Sequence, residues 1–99
     1  MTTQSSAAAA ETAAQETVTL ILGKITGRFM AVDPETLFPD TNLVHRGLGS
    51  LEIMRIVSEL RKAGIRADVK ELAVNPTLES WTKHLLETYP ADEIESRLT

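Results

Sequence analysis

Apolar residues recur at helical spacing early in the chain. They fall at positions i, i+3, i+4, i+7 and i+11, which places them on one face of a helix. These residues are Val18, Ile21, Leu22, Ile25 and Phe29. Gly23 and Gly27 lie within the same stretch, and each weakens a helix by roughly 1 kcal/mol relative to Ala. In a packed helix two such glycines are tolerable, and they can let a neighbouring segment approach closely.

The periodicity stops between Asp33 and Gly49. Pro34 and Pro39 interrupt this stretch, and Asp, Asn and Gly residues supply turn chemistry. Four irregularly spaced apolar side chains lie within it: Leu37, Phe38, Leu43 and Val44. A long loop with that many apolar residues is expected to be pinned over a core.

A second amphipathic pattern runs from Ser50 or Leu51 to Lys62 or Ala63, with Gly64 as the residue that ends the helix. At about 100° per residue, four apolar residues share one arc and are predicted to face the core: Ile53, Ile56, Val57 and Leu60. Leu51 and Met54 point away from that arc. We therefore expect both side chains to be exposed next to Ser50.

Two further helices follow. Asp68 and Glu71 have a capping-box spacing, which predicts a short helix over about residues 68–73. The run Asn75-Pro76-Thr77 then opens a last helix with Leu78, Trp81 and Leu85 on its inner face, and Pro90 stops it.

These patterns predict an all-α fold without sustained strand alternation. The expected architecture is a small four-helix bundle, with three longer helices, one short helix and a long first loop. Residues 15–89 form the predicted domain. Residues 1–14 are expected to be a flexible leader or linker, and residues 90–99 a C-terminal tail or linker.

Composition narrows the classes of function. A chain of 99 residues forms at most one domain. It has no cysteine, so any thiol must come from a cofactor. The formal charge of −4 argues against nucleic acid as a partner. No apolar run is long enough to span a membrane, and no secretory signal is recognisable. We expect a cytoplasmic monomer that binds neither membrane nor metal.

Ser50 is the main candidate for chemistry. It follows Gly47 and Gly49 at the point where the loop becomes a helix. The unpaired N–H groups and the positive dipole end of a helix start favour a phosphate. That phosphate can be a bound ligand or a group covalently attached to the serine.

Two stretches carry a resemblance to a known family. One runs from Asn42 to Leu51 (Asn-Leu-Val-His-Arg-Gly-Leu-Gly-Ser-Leu), and the other from Leu72 to Trp81 (Leu-Ala-Val-Asn-Pro-Thr-Leu-Glu-Ser-Trp). With the helix order, they make residues 18–86 resemble a phosphopantetheine-dependent carrier (thiolation) domain of nonribosomal peptide synthesis. The second stretch is similar to the end of aryl carrier domains of siderophore assembly, where an Asn-Pro-Thr turn and a tryptophan recur.

The resemblance implies that the four-helix bundle is of acyl-carrier-protein type, and it also implies a function and a site. Ser50 would carry a covalent 4′-phosphopantetheine arm from coenzyme A, and the arm would hold an aryl or aminoacyl group as a thioester. The implied partners are a phosphopantetheinyl transferase, an adenylation enzyme or domain, and condensation or other downstream synthetase domains. The chain itself would be non-catalytic. The residues expected at the partner-docking surface are Leu48, Gly49, Leu51, Met54, Arg55, Val69 and Leu72.

One position departs from the family pattern. The family commonly has Asp before the modified serine, whereas this chain has Gly49. The difference removes an anionic group beside the modification site.

Three other functions fit the sequence less well. A Ser–His–Asp hydrolase built from Ser50, His45 and Asp40 is disfavoured, because a nucleophile elbow has glycines on both sides of the serine and follows a strand. His45 and His84 make no metal site with an acidic pair at ligand spacing. A cofactor-free helical interaction module leaves the junction serine unexplained. An acyl carrier of fatty-acid or polyketide synthesis shares the chemistry and differs in cargo, although such carriers typically have a distinctly acidic second helix.

Overall fold

The computed structural model describes residues 2–99, and it describes side chains from Thr12 onward. Five α-helices are present in this part of the chain: α1 (Thr2–Met30), α2 (Ser50–Lys62), α3 (Val69–Val74), α4 (Leu78–Leu86) and α5 (Ala91–Leu98). Two 3₁₀ turns, Pro34–Thr36 and Val44–Arg46, lie in the long loop between α1 and α2. All regular structure of residues 2–99 is therefore helical, which confirms the predicted all-α bundle with its long first loop.

Helix α1 is the central element, and α2, α4 and α5 all pack against it. The predicted apolar face is confirmed, since Val18, Ile21, Leu22 and Ile25 are buried. A hydrogen bond of 2.8 Å between the hydroxyls of Thr19 and Thr82 joins α1 to α4. The backbone is helical from Thr2 to Met30. The boundary predicted at residue 14, between a leader and the domain, therefore lies within α1. The side chains of residues 1–11 lie outside the described ones.

The two glycines of α1 differ in how closely a neighbour approaches. A Cβ atom on Gly23 would lie 3.4 Å from Cδ1 of Leu78, which is an ordinary van der Waals contact. A Cβ atom on Gly27 would lie 2.9 Å from the carbonyl oxygen of Val32 and 3.3 Å from the backbone of Pro34. Gly27 therefore permits the chain to fold back over the end of α1, as its position in a packed helix suggested.

Substitution of these glycines should change stability in opposite directions. Gly23→Ala should raise the free energy of unfolding by up to about 1 kcal/mol, because alanine favours the helix and the site has room. Gly27→Ala should lower it by about 1–3 kcal/mol, because a backbone carbonyl must move. Urea unfolding midpoints of the two variants measure the difference. A stabilised Gly27→Ala variant would contradict the close approach of the loop.

Helix α5 corrects the predicted domain end at residue 89. Ile94 is completely buried, and residues 91–98 form a helix that packs on α1. Arg97 also links α5 to the end of α2, because its Nη1 donates to the carbonyl oxygen of Ala63 (3.4 Å). Its Nη2 pairs with Glu93 within α5 (3.0 Å). Residues 91–98 are therefore part of the bundle rather than a linker, and the four predicted helices become five.

Candidate functional site

The loop before Ser50 is fixed to the body of the protein. Leu37 and Leu43 are buried as predicted, and Leu48 is buried with them. Two backbone hydrogen bonds tie the loop to the start of α4: Leu43 N–H donates to the oxygen of Pro76 (2.8 Å), and Glu79 N–H donates to the oxygen of Pro39 (2.9 Å). The prediction of a pinned loop is confirmed. Phe38 and Val44 of the same loop have exposed side chains.

A tight turn delivers the chain from this loop into α2. The side-chain oxygen of Asn42 accepts from the backbone N–H groups of Val44 and His45 and so opens the 3₁₀ turn. Gly47 ends the turn at φ 104°, in the left-handed region that glycine adopts without strain. Leu48 N–H then donates back to the oxygen of Leu43 (2.9 Å). The local sequence thus fixes where α2 begins.

Ser50 is the first residue of α2, and its side chain is exposed. A serine at the preceding N-cap position usually accepts a backbone hydrogen bond with its hydroxyl. Here Gly49 is the N-cap, in an extended conformation that any residue adopts. As a result, the Ser50 hydroxyl makes no hydrogen bond with the described part of the chain. The oxygen is available to an enzyme that acts on it from solvent.

Glu52 places a carboxylate at the helix start. Its Oε1 accepts from the N–H of Gly49 at 2.7 Å, the backbone half of a capping box. A Cβ atom on Gly49 would lie 2.8 Å from this oxygen, so a larger residue at position 49 would require the Glu52 side chain to move. An anionic group therefore lies near Ser50 although residue 49 carries none. The Glu at the third helical position was a signal available in the sequence that we did not use.

The exposure predicted for α2 is confirmed. Leu51 is 57% exposed and Met54 59%, whereas Ile53, Ile56, Val57 and Leu60 are buried. Arg55 is exposed and Gly49 half-buried. Two apolar side chains therefore face solvent on the same helix as Ser50.

Two predicted docking residues are corrected by their burial. Leu48 is 3% exposed, because it turns inward to anchor the loop, and Leu72 is 1% exposed, because α3 directs it into the core. Neither side chain can contact a partner in this conformation. Val69, the other predicted docking residue of α3, is 41% exposed. Val44, in the turn before the site, is 49% exposed.

Trp81 holds α3 in place. Its indole Nε1 donates to the carbonyl oxygen of Leu72 at 3.0 Å, and the ring is buried. The side chain of Asp68 accepts from the N–H of Lys70 and caps the start of α3 (2.9 Å), while that of Thr77 accepts from the N–H of Ser80 and caps α4 (3.1 Å). The Asn-Pro-Thr turn and the tryptophan therefore fix the orientation in which α3 presents Val69.

The structure does not assemble a hydrolase site around Ser50. The backbone of His45 bonds to Asn42, and no hydrogen bond joins its ring or Asp40 to Ser50 in the described part of the chain. From Thr12 onward, no group of three His, Asp or Glu side chains is arranged to hold a metal ion. Within the described residues, no helix has the length and apolar character needed to cross a bilayer.

Comparisons with known proteins give the matches that follow. Pseudomonine synthase PmsE of Pseudomonas entomophila is 44% identical over 54 residues, which cover 54% of this chain and 9% of that protein. Phenyloxazoline synthase MbtB of Mycobacterium tuberculosis is 39% identical over 54 residues, or 54% of this chain and 4% of that protein. An isochorismatase of Bacillus subtilis is 40% identical over 52 residues, or 52% of this chain and 17% of that protein.

The chain thus spans less than a fifth of the length of each of these relatives. No solved structure matches it significantly. The family model for the phosphopantetheine attachment site matches residues 16–85, which include the loop, Ser50 and helices α2 to α4. The chain therefore belongs to the phosphopantetheine attachment site family, whose members carry a covalently attached 4′-phosphopantetheine.

Proposed function

We propose that this protein is a carrier that holds an aryl or aminoacyl group on a 4′-phosphopantetheine arm attached to Ser50. The observation that carries the proposal is the exposed Ser50 hydroxyl at the first position of α2, which makes no hydrogen bond with the residues that the structure describes and lies within the segment that matches the family. By this proposal the chain performs no catalysis of its own and serves the enzymes of nonribosomal peptide synthesis.

The residues at the helix start fit a covalently held phosphate. The first intrahelical backbone bond of α2 runs from Ile53 N–H to the oxygen of Gly49, and the N–H groups of Ser50, Leu51 and Glu52 make no hydrogen bond with the described residues. The helix dipole adds a partial positive charge at the same end. The Glu52 carboxylate accepts the hydrogen bond of the Gly49 N–H and so caps the start of the helix.

Attachment of the arm is a phosphoryl transfer to Ser50. The Oγ of Ser50 forms a bond to the phosphorus next to the pantetheine of coenzyme A, and the phosphoanhydride bond to the nucleotide breaks. Adenosine 3′,5′-bisphosphate leaves, and the hydroxyl proton passes to a base of the transferase or to water. When bound, the arm supplies a thiol that carries the acyl group as a thioester.

This chain's own residues position and present the arm. The loop anchored by Leu37, Leu43 and Leu48 fixes Ser50, and an arm attached to this exposed side chain would start at the protein surface. Tethering keeps the acyl group at high effective concentration near each partner site without tight binding. We assign partner contacts to exposed residues beside Ser50, namely Leu51, Met54, Arg55 and Val69, with Gly49 at the edge.

An aryl cargo is favoured over an amino acid by two observations. The Asn75-to-Trp81 segment resembles aryl carrier domains, and its tryptophan makes a specific contact to α3. One relative is named phenyloxazoline synthase, and a phenyl ring is an aryl group. This relative matches about half of the chain, and its name indicates a class of cargo, not a particular acid.

Intact-mass spectrometry tests the proposed function. The purified protein is incubated with coenzyme A and a broad-specificity phosphopantetheinyl transferase, and then with aryl-acid, amino-acid and malonyl donors and their loading enzymes. We expect one arm per chain, followed by an aryl or aminoacyl adduct. Absence of the arm would favour a cofactor-free helical module. An arm loaded only by malonyl donors would assign the protein to polyketide or fatty-acid synthesis.

A further inference from the structure

The start of α2 can be capped by either of two neighbouring residues, and the choice decides what the Ser50 hydroxyl does. In the structure Gly49 is the N-cap, its carbonyl oxygen accepts the N–H of Ile53 at 3.1 Å, and Ser50 is the first helical residue. If the helix began one residue later, Ser50 would be the N-cap, and its side-chain oxygen would accept the N–H of Glu52 or Ile53. Serine is a better N-cap residue than glycine. N-cap preference alone therefore favours the start that engages the hydroxyl.

Glu52 reverses this preference. Its Oε1 accepts the N–H of Gly49 at 2.7 Å, and a bond of this kind needs an acceptor at the third helical position. With Gly49 as the N-cap, the third helical residue is Glu52. With Ser50 as the N-cap it would be Ile53, which is 5% exposed and has no acceptor in its side chain. Glu52 thus stabilises only the start of α2 that leaves the Ser50 hydroxyl free.

Gly49 makes room for this carboxylate. A Cβ atom at position 49 would lie 2.8 Å from Oε1 of Glu52, closer than side-chain atoms normally approach. Both residues are half-buried, so the carboxylate lies against the junction of loop and helix. The glycine before the serine and the glutamate two residues after it therefore act as a pair.

We infer that Glu52 is a positioning residue for attachment of the arm, because it holds α2 at the start that leaves Oγ of Ser50 free to attack phosphorus. This inference rests on the proposed function and deepens it. An oxygen that accepts a helix N–H has a lone pair engaged and is turned toward the backbone, so it is misaligned for the attack. Glu52 acts through the backbone of Gly49 and takes no proton in the transfer.

Two substitutions of Glu52 test this inference. Initial rates of arm transfer are measured with coenzyme A and a broad-specificity transferase for the wild type, Glu52→Ala and Glu52→Gln. We expect Glu52→Ala to lower kcat about five- to tenfold with the KM for the carrier nearly unchanged, since the fault lies in how the hydroxyl is held after the proteins have met. Glu52→Gln keeps an acceptor oxygen and should retain at least about half of the wild-type kcat.

A rescue experiment separates positioning from a general loss of stability. Gly49→Asp introduces a carboxylate at the N-cap, where it can accept the N–H of Leu51 or Glu52 and so keep the helix start at the same residue. The double variant Gly49→Asp/Glu52→Ala should therefore recover most of the kcat that Glu52→Ala loses.

Glu59→Ala is the matched control. Glu59 is the other half-buried glutamate of α2, it pairs with Arg28 at 3.4 Å, and its loss removes the same charge away from the helix start. Its kcat and KM should match the wild-type values. Circular dichroism melts confirm that all variants fold. A wild-type kcat for Glu52→Ala would overturn the inference. So would a Glu52→Gln variant as slow as Glu52→Ala with a raised KM, because the transferase would then contact the charge itself. A wild-type protein that accepts no arm would instead refute the proposed function.

Discussion

Ser50→Ala should abolish attachment of the arm. After incubation with coenzyme A and a transferase, the variant should keep its unmodified mass, while the wild type gains one arm. The reason is chemical, because alanine has no oxygen to form the phosphodiester. The loss should be complete rather than partial, since the Ser50 hydroxyl is the proposed attachment point and no neighbouring residue can supply its oxygen. Intact-mass spectrometry followed by peptide mapping measures both the extent and the position of modification.

Ser58→Ala is the matched control for this substitution. Ser58 is also an exposed serine of α2, two turns further along, and its replacement should leave modification unchanged. The free energy of unfolding of both variants should lie within about 0.5 kcal/mol of the wild-type value, because exposed side chains away from caps and hydrogen-bond networks contribute little to stability. An arm found on the Ser50→Ala protein would show that another hydroxyl is the attachment site.

The long helices were predictable because their apolar residues repeat. Helix α2 buries one arc, Ile53 to Leu60, and exposes Leu51 and Met54, as projection at 100° per residue indicates. Its start and end are also encoded locally: Gly47 and Gly64 both have positive φ, at 104° and 85°. The position of Ser50 at a helix start followed from the same local signals.

Burial in short elements was not predictable from the pattern. Helix α3 has six residues, too few for a period to define its inner face, and the sequence did not indicate that Leu72 points inward while Val69 points out. Leu48 lies in a loop without any period, and its burial depends on the anchoring of the whole loop. Both residues were therefore assigned to the surface by resemblance, and tertiary packing placed them in the core.

Helix α5 was missed for a related reason. Ile94 is its fully buried residue, and Ala91 and Leu98 pack half-buried against the core in a stretch that is otherwise rich in charged residues. These three residues recur at i, i+3 and i+7, but one short period after Pro90 did not outweigh the polar composition, and the complementary surface of α1 decides their place in the core. Arg97 adds a contact to the carbonyl of Ala63, more than thirty residues away, which no local pattern encodes.

Leu60→Ala should lower stability and leave the loading of folded protein nearly unchanged. Met54→Ala should leave stability nearly unchanged and slow loading. Leu60 is 1% exposed, so its truncation should cost about 2–5 kcal/mol through lost burial and a residual cavity. For a domain of this size each kcal/mol lowers Tm by roughly 4–8 °C. Met54 is 59% exposed, and Met54→Ala should change the free energy of unfolding by about 0.5 kcal/mol or less.

When only folded protein is compared, Met54→Ala should load more slowly than Leu60→Ala. Few apolar anchors carry a small transient interface, so loss of Met54 should slow acyl loading by a loading enzyme roughly fivefold or more. Leu51→Ala should behave like Met54→Ala, since Leu51 is equally exposed beside Ser50. Folded Leu60→Ala protein, held below its Tm, should load at nearly the wild-type rate. Thermal melts and loading rates of the three variants measure both effects. If Met54→Ala melts as early as Leu60→Ala and its folded fraction loads normally, Met54 belongs to the core and not to a docking surface.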